Sequence, residues 1–255
     1  MEIYYATLFF IFGTILGSFY NVVGYRLPRG ESIAFPPSHC TKCGHRLTTL
    51  ELIPILSFLL QKGKCKNCGD KISWFYTIFE FLTGLMFMLS YLVFGLSIDT
   101  LIAITFISML LIIIISDYQT MIIPDELLIF TGILLIIEIL IKSGLNVMLH
   151  SLLNAIIMFV IMFAIKKIGD FLFKKESMGG GDIKLMFIYG LVLGWPTSCI
   201  SICLAAFIGL PVSLILLKKN NSHEIPFGPF LAVAAIILVL TKTDINVLID
   251  LLTIK

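Results

Sequence analysis

The chain has 255 residues, of which 58% are hydrophobic and only 13% are charged, and its formal net charge is +2. Soluble domains carry about 25% charged residues and about 45–50% apolar ones, so this composition excludes an ordinary soluble protein and indicates a polytopic membrane protein. The small net charge identifies no class of partner, because in membrane proteins the distribution of charge is more informative than its sum.

Eight apolar segments are candidate membrane spans, since a helix needs about 20 predominantly apolar residues to cross the hydrocarbon layer. The first, residues 3–23, is too long for the apolar part of a signal peptide, and no basic residue precedes it. The other seven are residues 74–95, 99–116, 122–141, 147–165, 183–195, 197–217 and 227–241. Because proline disfavours helix at the residue before it, Pro196 favours separate sixth and seventh helices over one long tilted helix with a break. The sequence therefore predicts an all-α polytopic membrane protein with about eight transmembrane helices.

Lysine and arginine orient the predicted bundle. Eight lie in residues 26–71, five in residues 166–184 and two at positions 218–219, which leaves three of the 18 elsewhere. Cytoplasmic loops are enriched in basic residues, so these segments are predicted to be cytoplasmic, with the amino terminus outside. We expect a multi-pass protein of a bacterial cytoplasmic membrane, with Asp117, Asp182 and the cysteine segment on the cytoplasmic side.

Two Cys-x-x-Cys-Gly motifs lie in the predicted cytoplasmic loop between the first two spans. Each motif can present two thiolates to one metal, and two motifs complete a closed tetrahedral Zn²⁺ site with a structural role. The predicted ligands are Cys40, Cys43, Cys65 and Cys68. A pair of disulfides is the rival interpretation, which a reducing cytoplasm disfavours. His39 and His45 flank the first motif and are alternative ligands.

Asp117 and Asp182 each lie at the end of a long apolar segment, and the glycines of residues 179–181 precede Asp182. A carboxylate at membrane depth is costly and is a functional hypothesis by default. Two carboxylates that share a proton can hydrolyse a peptide, one activating water and the other polarising the carbonyl. Gly179 and Gly181 would let the backbone approach an extended substrate closely. The alternatives are that Asp117 is an interfacial charge ending a helix and that Asp182 is a helix N-cap.

Three further residues are predicted to support the site. Asp125 follows Pro124 at a helix start, where an acid is favourable, and is predicted to be structural. Glu80 lies one turn into the second span, where it either binds the ammonium group or leader of a substrate or orients the helix through an ion pair. Lys184 either acts on the nearby Asp182 carboxylate or follows the positive-inside rule.

The predicted organisation has four parts: the first span in residues 1–23, the tetracysteine zinc-binding insert in 24–73, a seven-helix peptidase core in 74–241 and a short tail in 242–255. An insert of about 50 residues buries little apolar surface. Its fold is therefore expected to depend on its metal.

Eight segments resemble one known family, in the order in which that family has them. They are residues 17–28 (GSFYNVVGYRLP), the Cys-x-x-Cys-Gly-His segment at 40–45, residues 51–57 (ELIPILS), residues 63–68, Glu80, Asp117 with residues 123–125, residues 179–185 (GGGDIKL) and residues 225–231 (IPFGPFL). This set, from about residue 13 to residue 231, is similar to the bacterial type IV prepilin peptidases, which are aspartyl proteases of the GxGD type.

The resemblance implies an enzyme with two activities. Such proteins remove the basic leader of prepilins or pseudopilins at the cytoplasmic membrane face, and then methylate the new amino terminus with S-adenosylmethionine. It also implies that Asp117 and Asp182 are catalytic and that the cysteine loop belongs to the methylating form. The expected partners are a prepilin helix and membrane lipid, and no nucleic acid. No residue is assigned to the methyl donor, and the oligomeric state is not predicted.

Two other functions are considered. A presenilin-like protease of broader specificity shares the Gly-x-Gly-Asp string but does not predict the cysteine loop. A proton-coupled transporter would use the aspartates as a proton relay, usually near the middle of the membrane. The position of both aspartates near one face disfavours the transporter.

Overall fold

The computed structural model describes residues 1–174, 176, 178–219 and 226–243, and within them the regular structure is helical. The α-helices are α1 Glu2–Arg26, α2 Leu56–Leu60, α3 Trp74–Phe94, α4 Ile98–Thr120, α5 Asp125–Phe173, α6 Gly180–Leu193, α7 Trp195–Lys219 and α8 Gly228–Leu240. This confirms the predicted all-α class. Most of the predicted tail, residues 244–255, lies outside the described residues. The chain forms two compact units, Met1–Leu96 and Ser97–Lys255.

Five helices of the described part, α1, α3, α4, α5 and α7, are long and apolar enough to cross a membrane. Gly144 interrupts α5 with a non-helical backbone (φ 78°, ψ 179°), and this break falls between the fourth and fifth predicted spans. The shorter helices α6 and α8, of 14 and 13 residues, match the sixth and eighth. Helix α6 ends at Leu193 and α7 begins at Trp195, which confirms two separate helices.

The first unit is built on the pairing of α1 with α3. Lipid is as apolar as leucine, so helices in a membrane associate through close packing, to which small residues contribute most. A Cβ atom added to Gly13 would lie 2.8 Å from Gly84 Cα, and one added to Gly17 would lie 2.9 Å from Glu80 Cα. The two backbones therefore meet directly, and the segment between these helices carries the four cysteines.

The second unit is organised around α4, which packs against α5 and α8, while α6 packs against α5 and α7 against α8. Residues 106–113 of α4 are all buried. Glu138 of α5 is also buried, and its carboxylate accepts a hydrogen bond of 2.8 Å from the Thr105 hydroxyl on α4. A polar partner of this kind is what an acid in a membrane span requires.

Candidate functional site

Asp117 lies one turn before the end of α4. The helix ends at Thr120 because Met121 adopts the left-handed conformation, with its N–H donating to the Asp117 carbonyl oxygen at 2.9 Å. The Asp117 side chain is buried, with a relative exposure of 6%. Its carboxylate accepts a hydrogen bond from the backbone N–H of Gly228, the first residue of α8. The carboxylate is therefore held between two helices.

Asp182 lies in the first turn of α6, where the positive end of the helix dipole favours an acid. The N-cap of this helix is Gly179, so the interpretation of Asp182 as an N-cap was wrong. The Asp182 carboxylate interacts electrostatically with that of Asp117. The structure thus brings together two acids that are separated by more than sixty residues in the sequence.

Glycines control the space around the two carboxylates, which are called the aspartate pair below. A Cβ atom on Gly228 would lie 2.6 Å from Asp117 Oδ2, and one on Gly181 would lie 2.9 Å from Ile123 Cβ. On Gly179 it would lie at ordinary contact distance, 3.7 Å, from Asp182 Oδ2. The middle glycine, Gly180, has open space around it. The requirement for glycine is therefore steric at positions 181 and 228 and absent at 180.

Lys184 pairs with Asp125, its ammonium group lying 2.7 and 2.6 Å from the two carboxylate oxygens. This ion pair joins the start of α5 to the start of α6, and both side chains are about half exposed. Lys184 thus has a carboxylate partner other than Asp182. Exposed pairs of this kind contribute about 0–1 kcal/mol to stability.

Two residues next to the aspartate pair were not predicted from the sequence. Gly228 belongs to a segment noted only for its resemblance to the family. Tyr189 lies two helical turns after Asp182, is fully buried against Phe106 with ring centroids 5.5 Å apart, and interacts electrostatically with Asp182. Its hydroxyl has no hydrogen-bond partner within the described residues. The spacing of seven residues on one helix was the available signal.

The four sulfur atoms of the cysteine loop form one cluster, here called the tetracysteine cluster, and all lie within 4.8 Å of one another. The Cys40–Cys68 and Cys43–Cys65 sulfur distances are 3.8 and 4.0 Å. A tetrahedral Zn²⁺ site with Zn–S bonds of about 2.3 Å requires sulfur separations of about 3.8 Å. The cluster therefore fits a Cys₄ zinc site, and the sulfurs are too far apart to be disulfide-bonded.

The two motifs of the cluster repeat one local structure. In each, the glycine after the second cysteine donates to the carbonyl of the first cysteine, Gly44 to Cys40 and Gly69 to Cys65, both at 2.9 Å. Both glycines have positive φ angles, 71° and 73°, that an L-residue rarely adopts. The Cys-x-x-Cys-Gly pattern therefore encodes a tight turn, and the chain makes it twice.

Local hydrogen bonds and neighbouring thiols shift the pKa values of two of the four cysteines. Backbone N–H groups of Cys43 and Lys42 lower the pKa of Cys40 to about 6. An N–H from Asp70 acts in the same direction on Cys68, but burial and the other three thiols raise its pKa to about 12. A bound cation would favour the thiolate form of all four cysteines, which is the chemistry of a structural zinc site.

His39 and His45, the two histidines that flank the first motif, do not belong to the tetracysteine cluster. The His39 ring lies 2.9 Å from the Pro37 carbonyl oxygen, and the His45 ring lies 3.3 Å from the Glu51 carboxylate. The alternative of histidine ligands was therefore wrong. The Glu51 carboxylate caps the turn that follows the first motif, accepting hydrogen bonds from the N–H and hydroxyl of Thr48. These hydrogen bonds lower the pKa of Glu51 to about 2.

Glu80 is buried between α1, α3 and the loop. Its carboxylate accepts a 2.8 Å hydrogen bond from the Ile55 N–H and another from the Ser18 hydroxyl. Ile55 has a φ of 62°, which is a strained conformation for a β-branched residue. Glu80 therefore holds a strained turn of the loop on the helix pair, and the predicted ion pair is not found among the described residues.

Comparison with known proteins gives consistent matches. Residues 11–94 match the family model described as the bacterial peptidase A24 N-terminal domain, and residues 104–214 match the type IV leader peptidase family. A prepilin leader peptidase/N-methyltransferase of Bacillus subtilis is 38% identical over 234 residues, which cover 91% of this chain and 92% of the relative. Relatives with the same name from Pseudomonas putida and Myxococcus xanthus are 30% and 32% identical, covering 95% and 88% of this chain and 92% and 69% of their own lengths.

No solved structure matches the chain. The sequence matches span both compact units, and the Bacillus subtilis relative is 38% identical over nine-tenths of each chain. The chain is therefore a multi-pass membrane protein that belongs to the type IV leader peptidase family.

Proposed function

We propose that this protein cleaves the leader from prepilins or pseudopilins and then methylates the new amino terminus. The observation that carries the proposal is the approach of Asp117 and Asp182 at the ends of two apolar helices. The names of the relatives support the same pair of activities. The direct test is incubation of the purified protein in lipid nanodiscs with a prepilin, followed by sequencing of the product's amino terminus.

The aspartate pair supplies the groups that peptide hydrolysis needs. The ionised carboxylate accepts a proton from a water molecule as the water oxygen attacks the scissile carbonyl carbon, and the protonated carboxyl donates a hydrogen bond to the carbonyl oxygen. The resulting tetrahedral intermediate collapses when the leaving nitrogen takes a proton and the C–N bond breaks. One water is consumed, and the products are the leader carboxylate and the amine of the mature chain.

Methylation then uses the amine that cleavage has released. S-adenosylmethionine would supply the methyl group as an electrophile, and the neutral amine would accept it and lose a proton. We assign this activity to the first unit, because the tetracysteine cluster lies there and the aspartate pair lies entirely in the second unit. Cleavage thus supplies the substrate of methylation.

A Cys43→Ser substitution is expected to remove bound zinc and to lower methylation more than cleavage. Loss of one thiolate opens the Cys₄ shell, and a loop with so little core depends on its metal. Zinc content by elemental mass spectrometry and the two reaction rates provide the readout. The matched control is Cys203→Ser, an exposed thiol of α7 outside the cluster. Equal loss of both activities in a folded Cys43 variant would contradict the assignment of methylation to the first unit and cleavage to the second.

An apolar groove between α5 and α6 is proposed to receive the substrate helix. Its volume is about 390 Å³, and Ile129, Ile133 and Phe187 are among its lining residues. Asp125 and Lys184 line one part of the groove, and Asp117 and Asp182 are not among its lining residues. We propose that a substrate whose scissile bond reaches the aspartate pair places its apolar segment in this groove.

A photoreactive benzophenone side chain at position 129 is expected to cross-link to a prepilin, whereas the same group at position 130 is not. Ile129 lines the groove and Phe130 does not, although the two are 63% and 64% exposed. The experiment is made in an Asp117→Asn background, so that the substrate stays intact. As a control, the protein that carries benzophenone at position 129 and retains Asp117 must cleave prepilin. If it does, and the group at position 129 cross-links only to lipid, the groove assignment is contradicted.

Orientation completes the proposal. Fifteen of the 18 lysine and arginine residues lie in segments that the positive-inside rule assigns to the cytoplasm. We therefore propose that the aspartate pair and the tetracysteine cluster face the cytoplasm of a bacterium, where a basic leader remains after its helix has entered the membrane.

A further inference from the structure

Helix α2 presents an unusual amount of apolar surface for a segment outside the spans. Its residues Leu56, Leu59 and Leu60 are 58%, 56% and 83% exposed. These three leucines are called the α2 face. The fourth apolar side chain, Phe58, is buried and packs edge-on against the Trp74 ring, with centroids 4.6 Å apart. The exposed leucines therefore belong to a folded element rather than to a loose loop.

Contact with Trp74 fixes the depth of α2 relative to the membrane. Trp74 is the first residue of α3, a helix with the length and hydropathy of a membrane span, and it is itself exposed. Tryptophan at the end of a span lies preferentially at the level of the lipid headgroups. Because Phe58 packs on this ring, α2 and its leucines lie at the same level.

Three lysines surround the point where the chain passes from α2 into α3. Lys62 follows α2, and Lys64 and Lys71 face each other in an antiparallel bridge supported by the 2.8 Å hydrogen bond from Ile72 N–H to the Gly63 carbonyl. All three are exposed, and none forms an ion pair within the described residues. These three lysines are called the lysine collar.

Nearby acids do not neutralise the lysine collar. The Asp70 carboxylate is paired with Lys42 at 2.8 Å. The Glu51 side chain is buried and accepts hydrogen bonds from Thr48. An apolar patch at headgroup depth, bordered by unpaired lysines, matches an anionic lipid surface in both polarity and charge.

We infer that the α2 face inserts into the headgroup region of the leaflet at which α3 begins, and that the lysine collar binds anionic phospholipid there. The contact docks the tetracysteine loop on the membrane surface. It requires neither of the proposed activities. The chemical class of the partner is a phospholipid bilayer with a negatively charged headgroup, such as phosphatidylglycerol.

The test uses the full chain in nanodiscs and a single tryptophan. The chain has only two tryptophans, Trp74 and Trp195, so both are replaced by phenylalanine and Leu60→Trp is introduced. Lipids brominated on the upper acyl carbons then report contact. In phosphatidylglycerol discs we expect blue-shifted emission that the brominated lipid quenches. Emission at the wavelength of water-exposed tryptophan, without quenching, would overturn the inference.

Charge is tested by neutralising the lysine collar. Each lysine near an anionic surface favours docking by about fivefold, so Lys62→Gln, Lys64→Gln and Lys71→Gln together are expected to lower the docking constant about 100-fold. The variant should lose the difference in quenching between phosphatidylglycerol and phosphatidylcholine discs. Lys66→Gln, an exposed lysine within the second cysteine motif, is the matched control and should retain it. If the single-tryptophan protein with its lysine collar intact is quenched equally in phosphatidylglycerol and phosphatidylcholine discs, the role of anionic lipid is contradicted.

A second measurement separates lipid from a peptide occupant. If a prepilin covers the α2 face instead, added prepilin protects the tryptophan at position 60 from aqueous iodide, and brominated lipid does not quench it. That result overturns the lipid assignment. Protection from iodide without prepilin, together with lipid quenching, supports it.

Discussion

Asp117→Asn and Asp182→Asn are each expected to lower the rate of leader cleavage by about 10³-fold or more, because an amide can neither accept the proton of the attacking water nor donate as a carboxylic acid. The two residues act as one unit, so the double variant should be no slower than either single variant. The measurement is the single-turnover rate of leader release from a prepilin in nanodiscs. Both variants should still methylate a pilin peptide that already lacks its leader, since the aspartate pair lies in the second unit.

The control for these substitutions is Asp99→Asn. Asp99 lies in the first turn of the same helix as Asp117 and forms an ion pair with Lys142. The change of side chain is identical, but the position is at the opposite end of α4, so cleavage should remain near the original rate. Normal cleavage by either Asp117→Asn or Asp182→Asn, in a protein that is inserted and folded, would refute the assignment of the pair.

Gly228→Ala is expected to lower cleavage by about 100-fold, although it adds only one methyl group. The new carbon would lie 2.6 Å from Asp117 Oδ2, so the carboxylate must move or the start of α8 must withdraw its N–H. Displacement of a reacting group by about 1 Å costs roughly this factor in rate. The expected signature is a fall in kcat with little change in KM, because Gly228 does not line the groove that is proposed to receive the substrate.

Gly180→Ala provides the matched comparison. It is the same substitution in the glycine string that precedes Asp182, but nothing lies within 4 Å of the added carbon. Cleavage should therefore stay close to the original rate. If Gly228→Ala cleaves as fast as Gly180→Ala, Asp117 tolerates displacement and is not held in the position that catalysis uses.

Much of the fold could be predicted because membrane spans have a simple requirement of length and polarity. Even the break between the fourth and fifth predicted spans was marked by a polar interval around Gly144, where the backbone leaves the helical conformation. The tetracysteine cluster was equally predictable, since Cys-x-x-Cys-Gly encodes one tight turn and two such turns need only meet. In both cases the residues of a short segment were enough to predict its structure.

Contacts between distant segments could not be predicted in the same way. The interaction of Gly228 with Asp117 depends on how α8 packs against α4, and the pairing of Lys184 with Asp125 depends on how α6 packs against α5. The sequence around Lys184 does not indicate whether its partner is Asp125 or the nearer Asp182. Side-chain partners across a helix bundle follow from packing, which spacing along one chain does not determine.

Glu80 illustrates the same limit in the first unit. An acid near the start of a span suggested an ion pair or a ligand, because a carboxylate at membrane depth requires a polar partner. The donors are instead the Ser18 hydroxyl of α1 and the backbone N–H of Ile55, which a strained turn exposes 25 residues earlier. Backbone donors in irregular loops carry no signature in the sequence.

The position of the aspartate pair also bears on the alternative functions. Asp117 lies three residues from the end of α4 and Asp182 in the first turn of α6, whereas a proton-coupled transporter places its carboxylates near the middle of the membrane. A presenilin-like protease of broad specificity leaves the tetracysteine cluster without a role. Membership of the type IV leader peptidase family accounts for both features.

The mass of the product tests the central claim most directly. A prepilin is incubated with the protein in nanodiscs and with S-adenosylmethionine carrying a deuterated methyl group, and the pilin is then analysed by intact mass spectrometry. We expect a chain that lacks its leader and carries one deuterated methyl group on its new terminal nitrogen. An intact prepilin, with the protein folded and zinc bound, would contradict the proposed peptidase activity, and a cleaved chain without the label would contradict the methyl transfer.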